Sequence, residues 1–194
     1  ENDTDQGNIV WWNNQYLNTN YKLMNWSKLV SKTNELIERF KLDPDALDYS
    51  LNLDYINENV DFVYNVYHKK IQSVSNTASV SSAIDFSTKF LKIGKAIENN
   101  NYIADAYFKR AELKKQAEDY FGAIQDINEY IKFNDDYSDG YRLRGEVKLK
   151  MGEAYSKYAC EDFIFALEVS IENENENEDD SKKIQDLIDY YCKQ

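Results

Sequence analysis

Ala104-Asp105-Ala106-Tyr107-Phe108-Lys109-Arg110-Ala111-Glu112-Leu113-Lys114 and Ser138-Asp139-Gly140-Tyr141-Arg142-Leu143-Arg144-Gly145-Glu146-Val147-Lys148 are two versions of one segment. Ala111 and Gly145 are the matching small residues, 34 positions apart. A second related stretch follows each copy, Asp119 to Ile131 and Tyr158 to Leu167. A fixed period of this size marks helical hairpins stacked side by side. One hairpin cannot bury its apolar face alone, so neighbours must share a core. Such arrays present broad surfaces to other proteins, and binding rather than chemistry is the first expectation.

The helical signal continues outward from the two copies. The first helices of the pairs are expected over about 102–117 and 137–151, and the second over about 119–133 and 155–170. Upstream, Trp26, Leu29, Val30, Thr33, Leu36, Ile37 and Phe40 share one helical stripe. Val60, Val63, Tyr64, Tyr67, Ile71 and Val74 form another, ended by the loop composition Ser75-Asn76-Thr77. Ser79 is placed to cap a helix carrying Ile84, Phe86, Phe90, Ile93, Ala96 and Ile97, which Asn99-Asn100-Asn101 ends. Asp43-Pro44 predicts a short helix to about Ser50, with Asp as N-cap and Pro as the first helical residue. Residues 1 to about 20 are polar and Asn-rich, broken by Val10-Trp11-Trp12 and Tyr16-Leu17, and read as an irregular arm that pins its aromatics onto the body. The acidic run Ile171 to Asp180 reads as a mobile loop, because its charges repel and bury nothing. Ser181 is expected to cap a last amphipathic helix with Ile184, Leu187, Ile188 and Tyr191, which covers the exposed end of the array.

Position by position, the two copies resemble the tetratricopeptide repeat (TPR) family. That family places a large residue fourth, a small one eighth and Ala twentieth in each repeat, followed by an apolar residue in the second helix. The first copy supplies Tyr107, Ala111, Ala123 and Ile127; the second supplies Tyr141 and Gly145. Gly152 falls where the family turns between helices. Ala159, Phe163 and Ala166 then follow two residues late, as a two-residue insertion in the turn requires. Lys114, Lys148 and Tyr130 depart from the pattern, standing where the family often has Tyr, Tyr and Ala. The resemblance implies an all-α fold: antiparallel helix pairs stacked as a short right-handed superhelix, an α-solenoid, with a C-terminal capping helix. The expected division is 1–57 an aromatic-rich arm and helices capping the array, 58–101 a degenerate helix pair, and 102–136 one repeat. A second repeat with the turn insertion covers 137–170, the acidic loop 171–180 and the capping helix 181–194.

Composition narrows the function. The 194 residues are 42% hydrophobic, enough for a packed core, and a single Pro and six Gly favour helices over strands and turns. The net charge of −12 repels phosphate backbones and anionic lipid heads, which argues against nucleic acid and membrane partners. No run approaches the roughly 20 apolar residues needed to cross a bilayer. The chain begins at Glu1 without Met and shows no signal peptide, so the compartment stays open between the cytoplasm and, if a leader was removed, the exterior or envelope. Richness in Asn, Lys, Tyr and Ile points to an AT-rich genome, and a bacterial repeat protein is expected. Cys160 and Cys192 read as buried free thiols; pairing them requires an oxidising compartment.

Signatures of chemistry are missing. There is no Gly-rich phosphate loop, and no Ser, Cys or Thr stands in a nucleophile motif. Two cysteines and the single His68 make no zinc set, and His68 reads as a solvent-facing histidine at a helix end. Acid pairs such as Asp135-Asp136 and Glu161-Asp162 read as solvated helix faces. Neither catalytic residues nor cofactors or metals are therefore expected. The TPR resemblance implies instead a concave groove lined by the first helix of each repeat. Carried over, its residues are Asp105, Phe108, Glu112 and Lys115, then Asp139, Arg142, Glu146 and Leu149. Some members of the family clamp a chaperone's C-terminal carboxylate with Lys and Asn where Phe108, Glu112, Arg142 and Glu146 stand here. An EEVD-type tail is therefore not an expected ligand. The leading expectation is a scaffold or adaptor that binds a protein or peptide segment, one with basic residues fitting the acidic surface. A second is an acidic immunity or inhibitor protein that masks a basic toxin or enzyme. A third is a small-molecule pocket among Trp11, Trp12, Tyr16, Tyr21 and Trp26, residues otherwise expected to be core or a cap.

Overall fold

The computed structural model describes residues 3–47, 50–173 and 178–192, and among them the only regular structure is helical, ten α-helices and one 3-10 turn. They fall into two compact units, Glu1–Tyr102 and Ile103–Gln194.

The first unit holds α1 (Asp3–Lys22), α2 (Trp26–Arg39), α3 (Leu53–Glu58), α4 (Val60–Thr77) and α5 (Val80–Ala96). Leu29, Thr33, Leu36 and Ile37 turn one face of α2 inward, and Phe62, Val63, Val66, Tyr67, Ile71 and Val74 do so for α4. The helix α4 packs between α2 and α5. Aromatic rings fill the spaces, with Phe40 stacked on Tyr55 at 4.7 Å and set edge-on to Phe62 at 5.7 Å. Two of the buried tyrosine tips find partners: the Tyr67 hydroxyl donates to the Leu42 carbonyl at 2.7 Å, and that of Tyr102 to Val60. Ser79 caps α5 by accepting from the Ser82 N–H at 3.0 Å.

The second unit holds α6 (Asn100–Gln116, whose first residues belong to the first unit), α7 (Tyr120–Ile131), α8 (Ser138–Lys150), a 3-10 turn (Glu153–Tyr155), α9 (Ser156–Glu172) and α10 (Glu178–Tyr191). Ala111, Ala123, Ile127, Leu143 and Val147 form one buried cluster, and Tyr141, Ala159, Phe163, Ala166 and Ile184 a second. The small residues lie where helices cross. Between α8 and α9 the approach is close enough that a Cβ on Gly145 would stand 2.6 Å from Phe163 Cε1 and 3.0 Å from the Ala159 carbonyl oxygen. Asp119 ends the short α6–α7 connection as an N-cap, accepting from the Gly122 N–H at 3.0 Å. The α8–α9 connection is two residues longer, and the surplus is taken up by the 3-10 turn behind Gly152, whose φ of 108° suits glycine.

Several expectations are corrected. The arm is helical as α1. Leu17 is buried, the Asn65 amide donates to Asn14 at 2.7 Å, and the amides of Asn13 and Asn20 bond back to carbonyls one turn earlier, so these side chains accommodate the helix instead of breaking it. Its aromatics are not pinned down: Trp11 and Trp12 are 53% and 66% exposed. No helix follows Pro44 among the described residues; Asp48 and Tyr49 lie outside them. Asp43 Oδ1 accepts from the Asp45 N–H in a tight turn, its carboxylate pairs with Lys89 at 2.7 Å, and Leu47 is fully exposed, so a helix there would have no apolar face to dock. α4 runs on through Ser75-Asn76-Thr77, because Asn76 and Thr77 also bond back to carbonyls one turn earlier. His68 lies inside α4, half-buried and stacked on Tyr64 at 5.8 Å, rather than at a helix end.

The run expected to be a loop, 171–180, is helical at Ile171-Glu172 and again from Glu178; residues 174–177 lie outside the described residues. α10 starts before Ser181, with Glu178, Asp179 and Asp180 in its first turn, where acids complement the helix dipole. Cys160 and Cys192 are not buried free thiols. They form a disulfide with Cα atoms 5.7 Å apart, tying α9 to the end of α10.

Candidate functional site

All eight predicted groove residues lie in the second unit, four on α6 and four on α8. Four of the six ionic ones, Lys115, Asp139, Arg142 and Glu146, are drawn together into a chain of contacts. Lys115 Nζ lies 2.6 Å from Glu146 Oε2, Arg142 Nη1 lies 2.6 Å from Glu146 Oε1, and Arg142 Nη2 lies 2.8 Å from Asp139 Oδ1. Glu112 pairs with Lys109 at 3.1 Å. Burial works against the Arg142 charge, but hydrogen bonds and proximity to Asp139 and Glu146 outweigh it and raise its pKa. The two cations of the set are thus committed to acids of the same set. The repulsion expected from Glu146 toward an acidic ligand is largely offset inside the protein.

Phe108 and Leu149 are spent mostly on packing. Phe108 leans on the first buried cluster with its ring 4.8 Å from that of Tyr130, and Leu149 leans on the second. Asp105 is half-buried on α6. Beside Lys115, Glu146 and Leu149 opens a cavity of about 320 Å³, which Leu187 and Tyr191 of α10 also line. α10 therefore lines this cavity as well as packing on the second buried cluster. Its inward stripe was legible in the sequence, but the cavity it completes was not.

A second constellation escaped the sequence reading. Asp126 and Asp162 are buried, 3% and 5% exposed, inside the two hairpins. Arg110 and Lys114 of α6 converge on Asp126, and Arg144 and Lys148 of α8 converge on Asp162, at 2.6 to 2.8 Å. Arg110 also lies over Tyr107 and Arg144 over Tyr141, each 5.5 Å from the ring centre. Asp162 is thus no solvated acid, unlike the exposed pair Asp135-Asp136. Its signal was in plain view: Arg110 and Arg144, and Lys114 and Lys148, recur at the 34-residue period. The lysines that depart from the family pattern are the partners of these buried acids.

In the first unit the aromatic group named as a small-molecule candidate divides. Tyr21 and Trp26 meet edge to face at 5.7 Å, with Lys69 over the Tyr21 ring at 3.7 Å. Trp11, Trp12 and Tyr16 face solvent.

No family model matches the chain, and no curated protein matches its sequence. Among the described residues no group of three or more His, Cys, Asp or Glu could hold a metal ion, and no helix is long and apolar enough to cross a membrane.

Proposed function

We propose that the protein is a non-enzymatic interaction module of the tetratricopeptide type, which holds a peptide or protein segment along the face shared by α6, α8 and α10. The observation that supports this reading is the cavity of about 320 Å³ lined by Lys115 of α6, Glu146 and Leu149 of α8, and Leu187 and Tyr191 of α10. Leu149, Leu187 and Tyr191 offer an apolar seat for one anchoring side chain, and exposed Lys150 and Glu153 stand at its rim. Clefts of this size with a few polar groups at the edge suit side-chain anchors. Lys115 and Glu146 are paired with each other at the cavity, and Glu146 with Arg142 beyond it, so they are pre-organised and little of their ordering entropy is lost when a ligand docks. The net charge of −12 draws in segments with basic flanks.

The test is selection of binding segments from a random peptide display, followed by fluorescence polarisation. Tyr191→Ala is expected to weaken the selected peptides at least tenfold while Trp12→Ala leaves them unchanged. An EEVD-type peptide is expected to show no micromolar binding, because Arg142 and Lys115 would have to abandon their acids to grip a carboxylate. Selected peptides that bind equally well after Tyr191→Ala would place the interaction elsewhere and overturn this assignment.

A further inference from the structure

A second cavity, of about 620 Å³, is walled by α1 and α2 in the first unit. Its α1 wall carries Trp12 and Tyr16, one helical turn apart and 66% and 41% exposed. The helical rise between them is about 6 Å, so the two rings form a short strip along one face. What sets these two apart from singly exposed aromatics is that they share one face and line a cavity, where a ligand can cover both.

What covers it follows from the groups around the rings. Asn13 and Asn20 spend their amide N–H on the carbonyls of Ile9 and Tyr16, at 2.8 and 2.9 Å, and their side-chain oxygens remain as acceptors. Gln15 adds a donor and an acceptor on the same wall. The opposite wall bears Lys32 and Glu35, joined at 2.7 Å. A phosphate or carboxylate ligand needs a cation, but Lys32 is neutralised by Glu35. A quaternary ammonium is seated by aromatic faces that surround it, whereas the two rings here, Trp12 and Tyr16, come from the same wall. A wholly apolar ligand would strand the amides without hydrogen bonds. A neutral, ring-shaped polyol meets each demand, with C–H faces to stack on the aromatics and a rim of hydroxyls that both donate and accept.

We propose that the α1–α2 cavity is a carbohydrate-binding site in which Trp12 and Tyr16 stack against consecutive neutral sugar rings and the Asn13, Gln15 and Asn20 amides hydrogen-bond their hydroxyls. It lies in the other unit from the peptide face and stands or falls independently of it.

The test is titration of the full chain with maltotriose, cellotriose and chitotriose, read by intrinsic tryptophan fluorescence and calorimetry. At least one of the three is expected to saturate below about 10 mM. Trp12→Ala is expected to weaken it tenfold or more, Gln15→Ala severalfold, and Trp12→Phe less than Trp12→Ala, while Tyr191→Ala changes nothing. Trp12 is exposed, so circular dichroism of its variants should match the parent. The proposal is overturned if none of the sugars saturates, if Trp12→Ala binds like the parent, or if the cavity instead titrates with choline or with phosphatidylcholine vesicles.

Discussion

Arg110 holds Asp126 through two parallel hydrogen bonds, Nε to Oδ2 at 2.8 Å and Nη2 to Oδ1 at 2.6 Å. Lys114 closes on the same carboxylate at 2.8 Å. The Asp126 side chain is nearly out of water and balances two cations, so removing it takes their shared carboxylate from two partly buried charges. Asp126→Ala is expected to cost about 3 to 5 kcal/mol, measured by urea unfolding. Asp162→Ala should cost a similar amount, because Arg144 and Lys148 repeat the arrangement. A loss below about 0.5 kcal/mol would mean that the pairs behave like exposed surface ions.

Gly145 sits at a close crossing of α8 and α9. Gly145→Ala adds a Cβ against the Phe163 ring and the Ala159 carbonyl, and the backbone atom cannot swing aside as a side chain can. The variant should lose about 1 to 3 kcal/mol. Ala111→Leu and Ala123→Phe, at fully buried positions, should lose amounts in the same range of about 1 to 3 kcal/mol. Combining Gly145→Ala with Phe163→Leu should recover part of the loss, since the two sites touch and their effects cannot add. Strict additivity in that double mutant would show that the ring is not the obstacle.

Lys70 is 2% exposed, bonded to Asn34 Oδ1 and 4.6 Å from the Phe86 ring. Burial lowers its pKa from 10.5 to about 8. Below about 8 the folded and unfolded chains both carry the proton, and the burial penalty is present in full. Above it the folded lysine sheds its proton while the unfolded one keeps it, so stability rises with pH until about 10.5. Lys70→Met should therefore stabilise the protein at neutral pH by about 1 to 3 kcal/mol. Chemical denaturation at pH 7, 8, 9 and 10 should show the rise in the parent and a flatter curve in the variant. Parallel curves would remove Lys70 as the cause.

Cys160 and Cys192 close a loop across 32 positions. A cross-link of this span stabilises mainly by restricting the unfolded chain, by about 2 to 4 kcal/mol. Cys160→Ser with Cys192→Ser, or reductant added to the parent, should lower the melting temperature. Hydrogen exchange should accelerate first in α10, whose last turn loses its tether. An intact mass unchanged by alkylation without reductant, and two alkyl adducts after reduction, would verify the bond.

The helical character of the chain was determined by the sequence itself. Stripes such as Leu29, Thr33, Leu36 and Ile37 need nothing but the 3.6-residue period to declare an inward face, and small residues at Ala111 and Gly145 mark a crossing whatever lies across it. Even the two-residue insertion was countable, from the late arrival of Ala159 and Phe163. What the tertiary structure alone decided was which polar groups meet. Asp135 and Asp162 are the same residue type; only the crossing of α8 with α9 makes the second a buried partner of Arg144 and Lys148. Asn-rich α1 is a helix because Leu17 finds a pocket and Asn14 finds Asn65, contacts that no local pattern encodes. Both cavities arise in the same way, where side chains far apart in sequence, Leu149 with Leu187 and Tyr16 with Glu35, are brought to one rim. Local periodicity sets which face of a helix turns inward; the partner across the interface depends on how the helices cross, and that is settled only when the whole chain packs.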